Sequence, residues 1–335
     1  MTSAATGRGR LKPRLLALFV ALPILVALPV WAFTWASASP EPHGLPVGVV
    51  GSPGAVQAIE DQVAEHDGAF DLRTYDSAAT ATDAIENRDV YGAIVTEGPD
   101  RKLFTASAAS PAVAEVLTTT FAPPSEGPAP VVDVVPADAD DPRGSALGSL
   151  VLPLVLVSVI TAVIVLLIAR PGWEQIAMIA VAAVVGAGVA VAIAQGGFGI
   201  LGGDWTTNSV APALTIAAIS GTIVGLVSAF GRFGFVAVAP LMLFLGNPWS
   251  GATSSPYLLP EPAGVIGQLL PPGAGATALR NLAFFDGAGA STPLLVLSAW
   301  IAVGVAGICV GVLRRSDPGR ELTDATRPVM DAMQG

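Results

Sequence analysis

The sequence predicts an all-α polytopic membrane bundle of six transmembrane helices, with a small α/β extracytoplasmic domain inserted between helices 1 and 2. Hydrophobic residues make up 52% of the chain and charged residues only 13%, with a mean hydropathy of +0.65. Apolar runs recur at about twenty residues, the length that crosses a bilayer as a helix. Between residues 45 and 135, short apolar strands alternate with amphipathic helical stretches, as they do in α/β domains.

The first transmembrane helix is predicted over residues 15–35, after a cytoplasmic N-terminal tail at residues 1–14. The tail carries four basic residues and no acidic one. A positive flank before an apolar run places that flank in the cytoplasm. A cleaved signal peptide is the alternative, because Ala36, Ser37 and Ala38 have the small residues of a cleavage site. The apolar run is longer than the roughly 7–15 residues of a signal core, so we favour an uncleaved anchor.

Residues 36–145 are predicted to form the extracytoplasmic α/β domain, including a Pro-rich linker. Strands are predicted at 47–50, 70–74 and 90–95 with parallel pairing, helices at 53–66, 78–87 and 111–121, and further strands at 102–106 and 131–135. This segment holds eighteen Asp or Glu against five Lys or Arg. A solvated acidic surface is the simplest explanation, and recognition of a cationic ligand is the alternative.

Residues 146–313 are predicted to add five membrane helices, before a cytoplasmic tail at 314–335. The helices are expected at 147–169, 176–194, 209–230, 233–245 and 293–313. The fourth of these is too short to cross a bilayer alone. Ten of the 16 Lys and Arg residues fall on the predicted inner side. This bias favours a multi-pass protein of the cell (plasma) membrane with both termini in the cytoplasm.

The outer segment 247–292 is predicted to form short interfacial helices, because Pro and Gly recur too densely for one continuous helix. Broken backbone within lipid must be covered by protein or water, so the segment is expected on the bundle or at its mouth. Arg280 is the basic residue of this segment. One interpretation is that it extends toward lipid headgroups while Leu279, Leu282 and Phe285 face the membrane.

Three stretches carry a family resemblance: Asp141-Pro142-Arg143-Gly144, Asn247-Pro248-Trp249-Ser250-Gly251 and Leu270-Pro271-Pro272-Gly273-Ala274. With the layout of the whole chain, they resemble the permease-like membrane proteins of the ABC-2 type, particularly the YhgE/Pip-like branch. That family has one membrane helix, an extracytoplasmic domain and five more helices, with a Pro-rich outer segment before the last. The resemblance implies that Arg280 pairs with Glu261 or Asp286 in an outer-gate region, holding the interfacial helices over the bundle.

Residues that carry chemistry are sparse. The five internal predicted spans hold no Asp, Glu, Lys, Arg or His away from their ends, and proton-coupled carriers use such residues. Neither lysine follows a phosphate-binding Gly-rich loop, and Gly197-x-Gly199-x-x-Gly202 follows a membrane helix rather than a strand. His43 and His66 lack metal-ligand spacing and are expected to be solvated, and Cys309 is expected to be buried. We therefore expect no enzyme activity, no cofactor, no metal site and no nucleic-acid partner.

Small and polar residues within the spans predict helix packing. Gly221-x-x-x-Gly225 and Gly307-x-x-x-Gly311 would let helix backbones approach closely, within the bundle or, alternatively, in a dimer. Hydroxyl side chains within spans usually bond their own helix backbone, and a polar translocation path is the alternative. The residues concerned are Ser158, Thr161, Thr215, Ser220, Thr222 and Ser228.

The resemblance and the uncharged bundle together lead to the expected function. The first hypothesis is a homodimeric permease-like subunit, surrounded by membrane lipids, that exports an apolar or amphipathic substrate or an envelope component. A separate ATPase subunit would have to supply the energy, yet inner loops of a few residues leave it little docking surface. The alternative is a non-transporting membrane platform whose outer domain binds a partner or an envelope polymer.

Overall fold

The computed structural model describes residues 11–38, 40–64, 68–97, 100–122 and 130–315. It consists of an α/β domain, residues 40–133, and a helical domain formed by helix α1 (Leu11–Ala38) together with residues 145–315. His66 and most of the Pro-rich linker lie outside the described residues. Most of each predicted tail also lies outside them.

The α/β domain contains a five-stranded mixed sheet in the order β2-β1-β3-β4-β5. Strand β1 pairs in parallel with β2 and β3, as predicted, whereas β3 and β4 are antiparallel. Only two residues separate β3 from β4, and such a short connection can join only antiparallel strands. The elements are β1 (Leu45–Val50), α2 (Pro53–Ala64), β2 (Phe70–Tyr75), α3 (Ala78–Glu86), β3 (Gly92–Glu97), β4 (Asp100–Thr105), α4 (Pro111–Phe121) and β5 (Val131–Asp133).

Local sequence fixes where these elements begin. Every residue of β1 is buried, which is typical of a parallel strand covered on both faces. Helix α3 begins after its N-cap, Ser77, whose side chain accepts a hydrogen bond from the backbone N–H of Thr80, while the Thr80 hydroxyl accepts one from the backbone N–H of Ser77. Helix α4 begins after Ser110, with Pro111 in its first turn, where a missing backbone N–H costs nothing.

The helical domain continues the chain through eight helices after the α/β domain. They are α5 (Ser145–Ser149), α6 (Val151–Ile168), α7 (Trp173–Val191), α8 (Trp205–Phe230), α9 (Arg232–Pro240), α10 (Ala263–Leu269), α11 (Pro271–Phe284) and α12 (Ser291–Arg315). Helix α9 widens into a π-helical turn, Leu241–Gly246, directly after Pro240. Proline cannot donate the usual intrahelical hydrogen bond, so the regular α-helix ends there.

Among the described residues, four helical segments are long and apolar enough to cross a membrane: Ser145–Ile168, Trp173–Gly197, Trp205–Phe230 and Ser291–Arg315. The remaining two predicted spans correspond to shorter apolar helices, Leu22–Ala38 and Arg232–Gly246. Helix α8 lies at the centre, in contact with α6, α7, α11 and α12. The central window of α8 is 67% buried, against 22–28% for the other three segments. Their exposed apolar faces suit a lipid environment.

The segment 247–292 differs from the expected set of surface helices. Helix α11 packs against α8 and α12, and most of its residues are buried. Glycine makes this possible, because a Cβ atom at Gly275 would overlap the Thr215 hydroxyl of α8. Leu279 and Phe285 are only 4% and 5% exposed, so the prediction that they face the membrane is wrong. The reason is that α11 is covered by its neighbouring helices rather than laid on the lipid surface.

Several polar span residues follow the prediction, and others do not. Ser158, Thr215 and Ser220 donate to the carbonyl oxygen four residues earlier. Thr222 instead donates to the carbonyl oxygen of Trp300 on α12, at 3.0 Å. The predicted burial of Cys309 is wrong, because this side chain is exposed on the outer face of α12. Bonds between helices therefore supplement close packing around α8.

The two domains share one apolar core. Leu258 and Phe285, from the helical domain, belong to the same cluster of buried side chains as the strands of the α/β domain. Both are almost completely buried. The α/β domain is thus packed onto this end of the helical bundle through side chains, in addition to its covalent connections.

Candidate functional site

A cleft of about 620 Å³ lies where the α/β domain meets the helical domain. This volume is within the range of roughly 300–1,000 Å³ that small-molecule sites occupy. The start of β1 and the turn between α3 and β3 form one wall, and α10, α11 and the start of α12 form the other. The side chains that line the cleft include His43, Arg88, Asp89, Tyr91, Tyr257, Glu261, Val265, Gln268, Leu269, Thr277, Asn281 and Thr292.

The helical wall combines polar side chains with an apolar strip. His43, Arg88 and Asp89 supply the α/β side, whereas Val265 and Leu269 of α10 supply an apolar strip on the other side. Val265 is 65% exposed and Leu269 is 58% exposed. The backbone carbonyl of Leu269 accepts a hydrogen bond of 2.8 Å from the indole of Trp300, which holds α10 alongside α12. The apolar strip is therefore adjacent to a helix that is long enough to cross a membrane.

Arg88 is the central cation of the junction. It follows Asn87, the C-cap residue of α3, and has a φ of 65°, an uncommon value for a residue with a Cβ atom. Its guanidinium lies 4.7 Å from the ring centroids of both Tyr91 and Phe285. The Nε atom donates to the side-chain oxygen of Asn281 on α11, at 3.1 Å. Arg88 thus joins the α/β domain to the helical domain by stacking and by a hydrogen bond.

Tyr91 lies next to this cation and is buried. Its hydroxyl accepts hydrogen bonds from Nη2 of Arg88, at 3.4 Å, and from the hydroxyl of Ser255, at 3.3 Å. Burial raises the pKa of the phenol. The charge of Arg88, the hydrogen bond from Ser255 and the charge of Arg280 lower it by a larger amount, so the net pKa is below its ordinary value. The phenolate is therefore favoured more than burial alone would allow.

Arg280 lies beneath the same junction and is 5% exposed. Its Nη2 atom donates to the backbone carbonyl of Ala252, at 2.7 Å. Burial lowers the pKa of Arg280 to about 10, against the opposing charges of Tyr91 and Asp141, so the side chain is still a cation at neutral pH. Asp141 is itself buried and accepts the backbone N–H of Leu147, at 2.9 Å.

The predicted partners of Arg280 lie elsewhere. Glu261 is exposed at the edge of the cleft, and Asp286 is exposed in the turn after α11, with a φ of 51°. Within the described residues, the ion pair closer than 4 Å is Arg73 with Asp71, so neither carboxylate pairs with Arg280. The burial of Arg280 also contradicts the interpretation that its side chain extends toward lipid headgroups. Because α11 is inserted among other helices, the guanidinium meets a backbone carbonyl instead.

The glycines chosen from the sequence lie at the contact between α8 and α12. A Cβ atom at Gly225 would overlap the carbonyl of Gly304, and one at Gly307 would lie 2.6 Å from the carbonyl carbon of Gly225. A Cβ atom at Gly311 would lie 2.6 Å from the carbonyl oxygen of Ser228. Gly221 differs, because its own Cβ would meet nothing within 4 Å. Gly304, which the sequence motif did not single out, completes this contact.

Sequence reasoning missed the residues that form the junction. Asn281 adjoins Arg280 in the outer segment, Arg88 lies in the polar turn between a predicted helix and strand, and neither position carries a pattern that predicts its contact. His43 was expected to be solvated, whereas its Nδ1 atom is buried and has no hydrogen-bond partner among the described residues. The available signal was weak, since 193 positions separate Arg88 from Asn281 and no local pattern links them.

Comparison of the chain with protein-family models, with curated proteins and with solved structures finds no match. Within the described part of the chain, no group of three His, Cys, Asp or Glu side chains is arranged to hold a metal ion. The junction offers groups for recognising a ligand: a cation with no carboxylate within 4 Å in the described part of the chain, amide and hydroxyl groups, and an apolar strip.

Proposed function

We propose that this protein is a multi-pass protein of the cell membrane that binds an amphipathic molecule in the cleft between its two domains, in the course of exporting that molecule or an envelope component. One observation carries the proposal. A single cleft joins a polar wall, which includes Arg88, to an apolar strip at Val265 and Leu269 that stays exposed beside α12. A molecule with a polar head and an apolar tail would satisfy both walls at once.

We further propose six membrane crossings with both termini in the cytoplasm and the α/β domain outside. The shorter apolar helices, Leu22–Ala38 and Arg232–Gly246, would complete the four full-length segments. The excess of Lys and Arg on the predicted inner side supports this orientation. Arg170 and Arg232 lie at the two short turns of that side.

The resemblance to ABC-2 permease-like proteins supports the transport part of the proposal. Two smaller cavities, which Arg280 lines although it does not line the cleft, are each about 10 Å³, enough for a single water molecule. Movement of a larger molecule would therefore follow the lipid-exposed surface near α10 and α12, or would require the helices to separate. A partner protein would have to supply the energy for this movement. If that partner is a separate ATPase, it would have to dock on the N- and C-terminal tails.

The short turns favour a second candidate, a membrane platform that binds its ligand without moving it. Between α6 and α7 the chain turns over Ala169–Gly172, and between α8 and α9 it turns at Gly231. These turns offer little surface on which an ATPase could push. Both candidates share the binding cleft and differ in whether the bound molecule changes leaflet.

Photocrosslinking tests the shared part of the proposal. The purified full-length protein, in nanodiscs that contain a phospholipid with a diazirine in its acyl chain, should crosslink at Val265 and Leu269. Val265→Asp should reduce crosslinking at Leu269 several-fold, because it places a charge on the apolar strip. Leu167→Asp is the matched control on an outer face, at a site that is 78% exposed. If crosslinking at Leu269 is the same in Val265→Asp as in Leu167→Asp, the cleft is refuted as the binding site.

A leaflet-exchange assay separates the two candidates. Proteoliposomes with a fluorescent phospholipid and a membrane-impermeant quencher report transfer between leaflets. Transfer that depends on the protein and is lost in Val265→Asp would support export. Binding without transfer, under conditions in which crosslinking succeeds, would instead support the platform.

A further inference from the structure

The charges around the cleft are segregated. Arg88 lies at the junction itself, partly buried, whereas Asp89 and Glu261 are exposed and line the edge of the same cleft. No carboxylate lies within 4 Å of Arg88 among the residues that the structure describes. The cleft therefore combines an inner positive charge with two outer negative charges.

The inner charge is incompletely satisfied. Nε and Nη2 of Arg88 donate to Asn281 and Tyr91, but Nη1 is buried and has no hydrogen-bond partner among the described residues. Nδ1 of His43, on the same wall, is likewise buried and has no hydrogen-bond partner among the described residues. A buried donor without an acceptor is unfavourable, and a buried guanidinium without a counter-ion more so. Arg280, which unlike Arg88 is fully buried, adds to the positive potential beneath the cleft.

The edge charges have the opposite preference. Asp89 and Glu261 are solvated and need no partner for stability, but they would repel an approaching anion and attract a cation. A purely anionic headgroup would thus be attracted by Arg88 but repelled by Asp89 and Glu261 at the edge of the cleft. A headgroup that carries a phosphate and, a few bonds further out, an ammonium group would be attracted by both.

We propose that the occupant of the cleft is a zwitterionic amphiphile of the phosphoethanolamine type, with the phosphate toward Arg88 and His43, the ammonium group toward Asp89 and Glu261, and an acyl chain along Val265 and Leu269. The assignment rests on the proposed function, because it names the class of molecule bound at that same site. The exposed apolar strip is what favours a lipid over the free headgroup.

Native mass spectrometry of the full-length protein in an uncharged detergent tests the assignment. The probes are phosphatidylethanolamine and phosphatidylglycerol with identical acyl chains. One equivalent of phosphatidylethanolamine should bind about five-fold more tightly than phosphatidylglycerol, from two exposed charge pairs. Arg88→Gln should weaken its binding about ten-fold, from one charge-assisted contact. Lys102→Gln, which removes an exposed charge of the same domain outside the cleft, should change neither lipid's binding.

The edge variants keep the test decisive even if Arg88→Gln fails to fold. Asp89→Asn combined with Glu261→Gln alters only exposed side chains and should abolish the preference for phosphatidylethanolamine. An unchanged preference in that double variant, or equal binding of both lipids to the unaltered protein, would overturn the headgroup assignment while leaving cleft crosslinking intact. Competition by free phosphoethanolamine at concentrations similar to those of the lipid would overturn the lipid as occupant. Loss of crosslinking with every lipid would refute the proposed function as well.

Discussion

The guanidinium of Arg88 lies 4.7 Å from the centroid of the Phe285 ring, across the boundary between the α/β domain and the helical domain. Phe285 belongs to the buried apolar cluster of the α/β domain, although it follows α11 in the sequence. The contact therefore fixes the α/β domain over α11. It also fixes one wall of the cleft relative to the other, because Arg88 lines one wall and Asn281 of α11 lines the other.

Asn281→Ala should loosen this junction. Asn281 is 2% exposed, and its side-chain oxygen is the acceptor for Nε of Arg88. Removing the acceptor leaves a partly buried charged donor without this partner, which typically costs about 1–3 kcal/mol. Thermal unfolding of the purified protein in detergent should show a lower midpoint. Gln57→Ala, which removes an exposed bond to Asp61, is the control and should have little effect.

Gly225→Ala and Gly221→Ala should differ sharply, although the sequence motif treats the two glycines alike. The new methyl group at position 225 would overlap the carbonyl of Gly304, so α8 and α12 would have to separate. At position 221 the methyl group has open space. We expect Gly225→Ala to lower stability by about 1–3 kcal/mol, the usual cost of overpacking. Gly221→Ala should be neutral or slightly stabilising, since alanine favours helix.

Unfolding in sodium dodecyl sulfate, followed by circular dichroism, would compare these two glycine variants. Equal destabilisation would mean that both positions approach α12 alike, contrary to the contact described.

Tyr91 should be the first tyrosine to ionise. Of the three tyrosines, burial raises the pKa of Tyr75 and of Tyr257, while the neighbouring arginines hold the pKa of Tyr91 below 10. An ultraviolet titration of the folded protein should contain a phenolate step below pH 10 that is absent in Tyr91→Phe. Tyr75→Phe should retain it. Persistence of the early step in Tyr91→Phe would assign it to another group.

The same shift predicts how stability depends on pH. A phenol with a lower pKa in the folded state binds its proton more weakly when folded than when unfolded. Its stabilising contribution is complete above the ordinary pKa of 10 and is lost as the pH falls through the folded value. Relative to Tyr91→Phe, the unaltered protein should therefore gain stability as the pH rises toward 10, measured by denaturation at each pH.

Trp249 should hold α1 on the bundle. Its ring contacts those of Trp31 and Trp35 edge to face, at centroid distances of 6.1 and 5.7 Å, and the side chain is 6% exposed. Trp249→Ala should cost about 3–5 kcal/mol, as for other large buried aromatics. Trp249→Phe keeps a ring and should cost less. Trp173→Ala, at a site that is 78% exposed, is the control, and all three are compared by thermal unfolding.

If α1 has this packing role, it should be retained in the mature protein. The intact mass of the purified protein is then expected to include Leu11–Ala38. A mass that corresponds to cleavage after Ala38 would favour the signal-peptide alternative and would leave Trp249 without its two ring contacts.

The order of elements was predictable because it depends on local patterns. The predicted helix 111–121 coincides with α4, since Ser110 and Pro111 mark its start, and the predicted spans at 147–169 and 209–230 match the long helices closely. The mixed sheet was only partly predicted, because strand periodicity says nothing of direction. The cleft itself was not predicted: Glu261 lines it, whereas Arg280 does not, and the expected ion pair between them is absent among the described residues.

By itself, the sequence determined that this is a helical membrane protein with a small α/β domain, because apolar run length and the alternation of strands and helices are local properties of the chain. Only the tertiary structure decided that α11 is buried and that Arg88 contacts Asn281 and Phe285. It also decided that position 225, unlike position 221, has no room for a side chain larger than a hydrogen atom. These outcomes depend on which surfaces come together across nearly two hundred positions. Packing of that kind is a property of the whole molecule, and no window of sequence contains it.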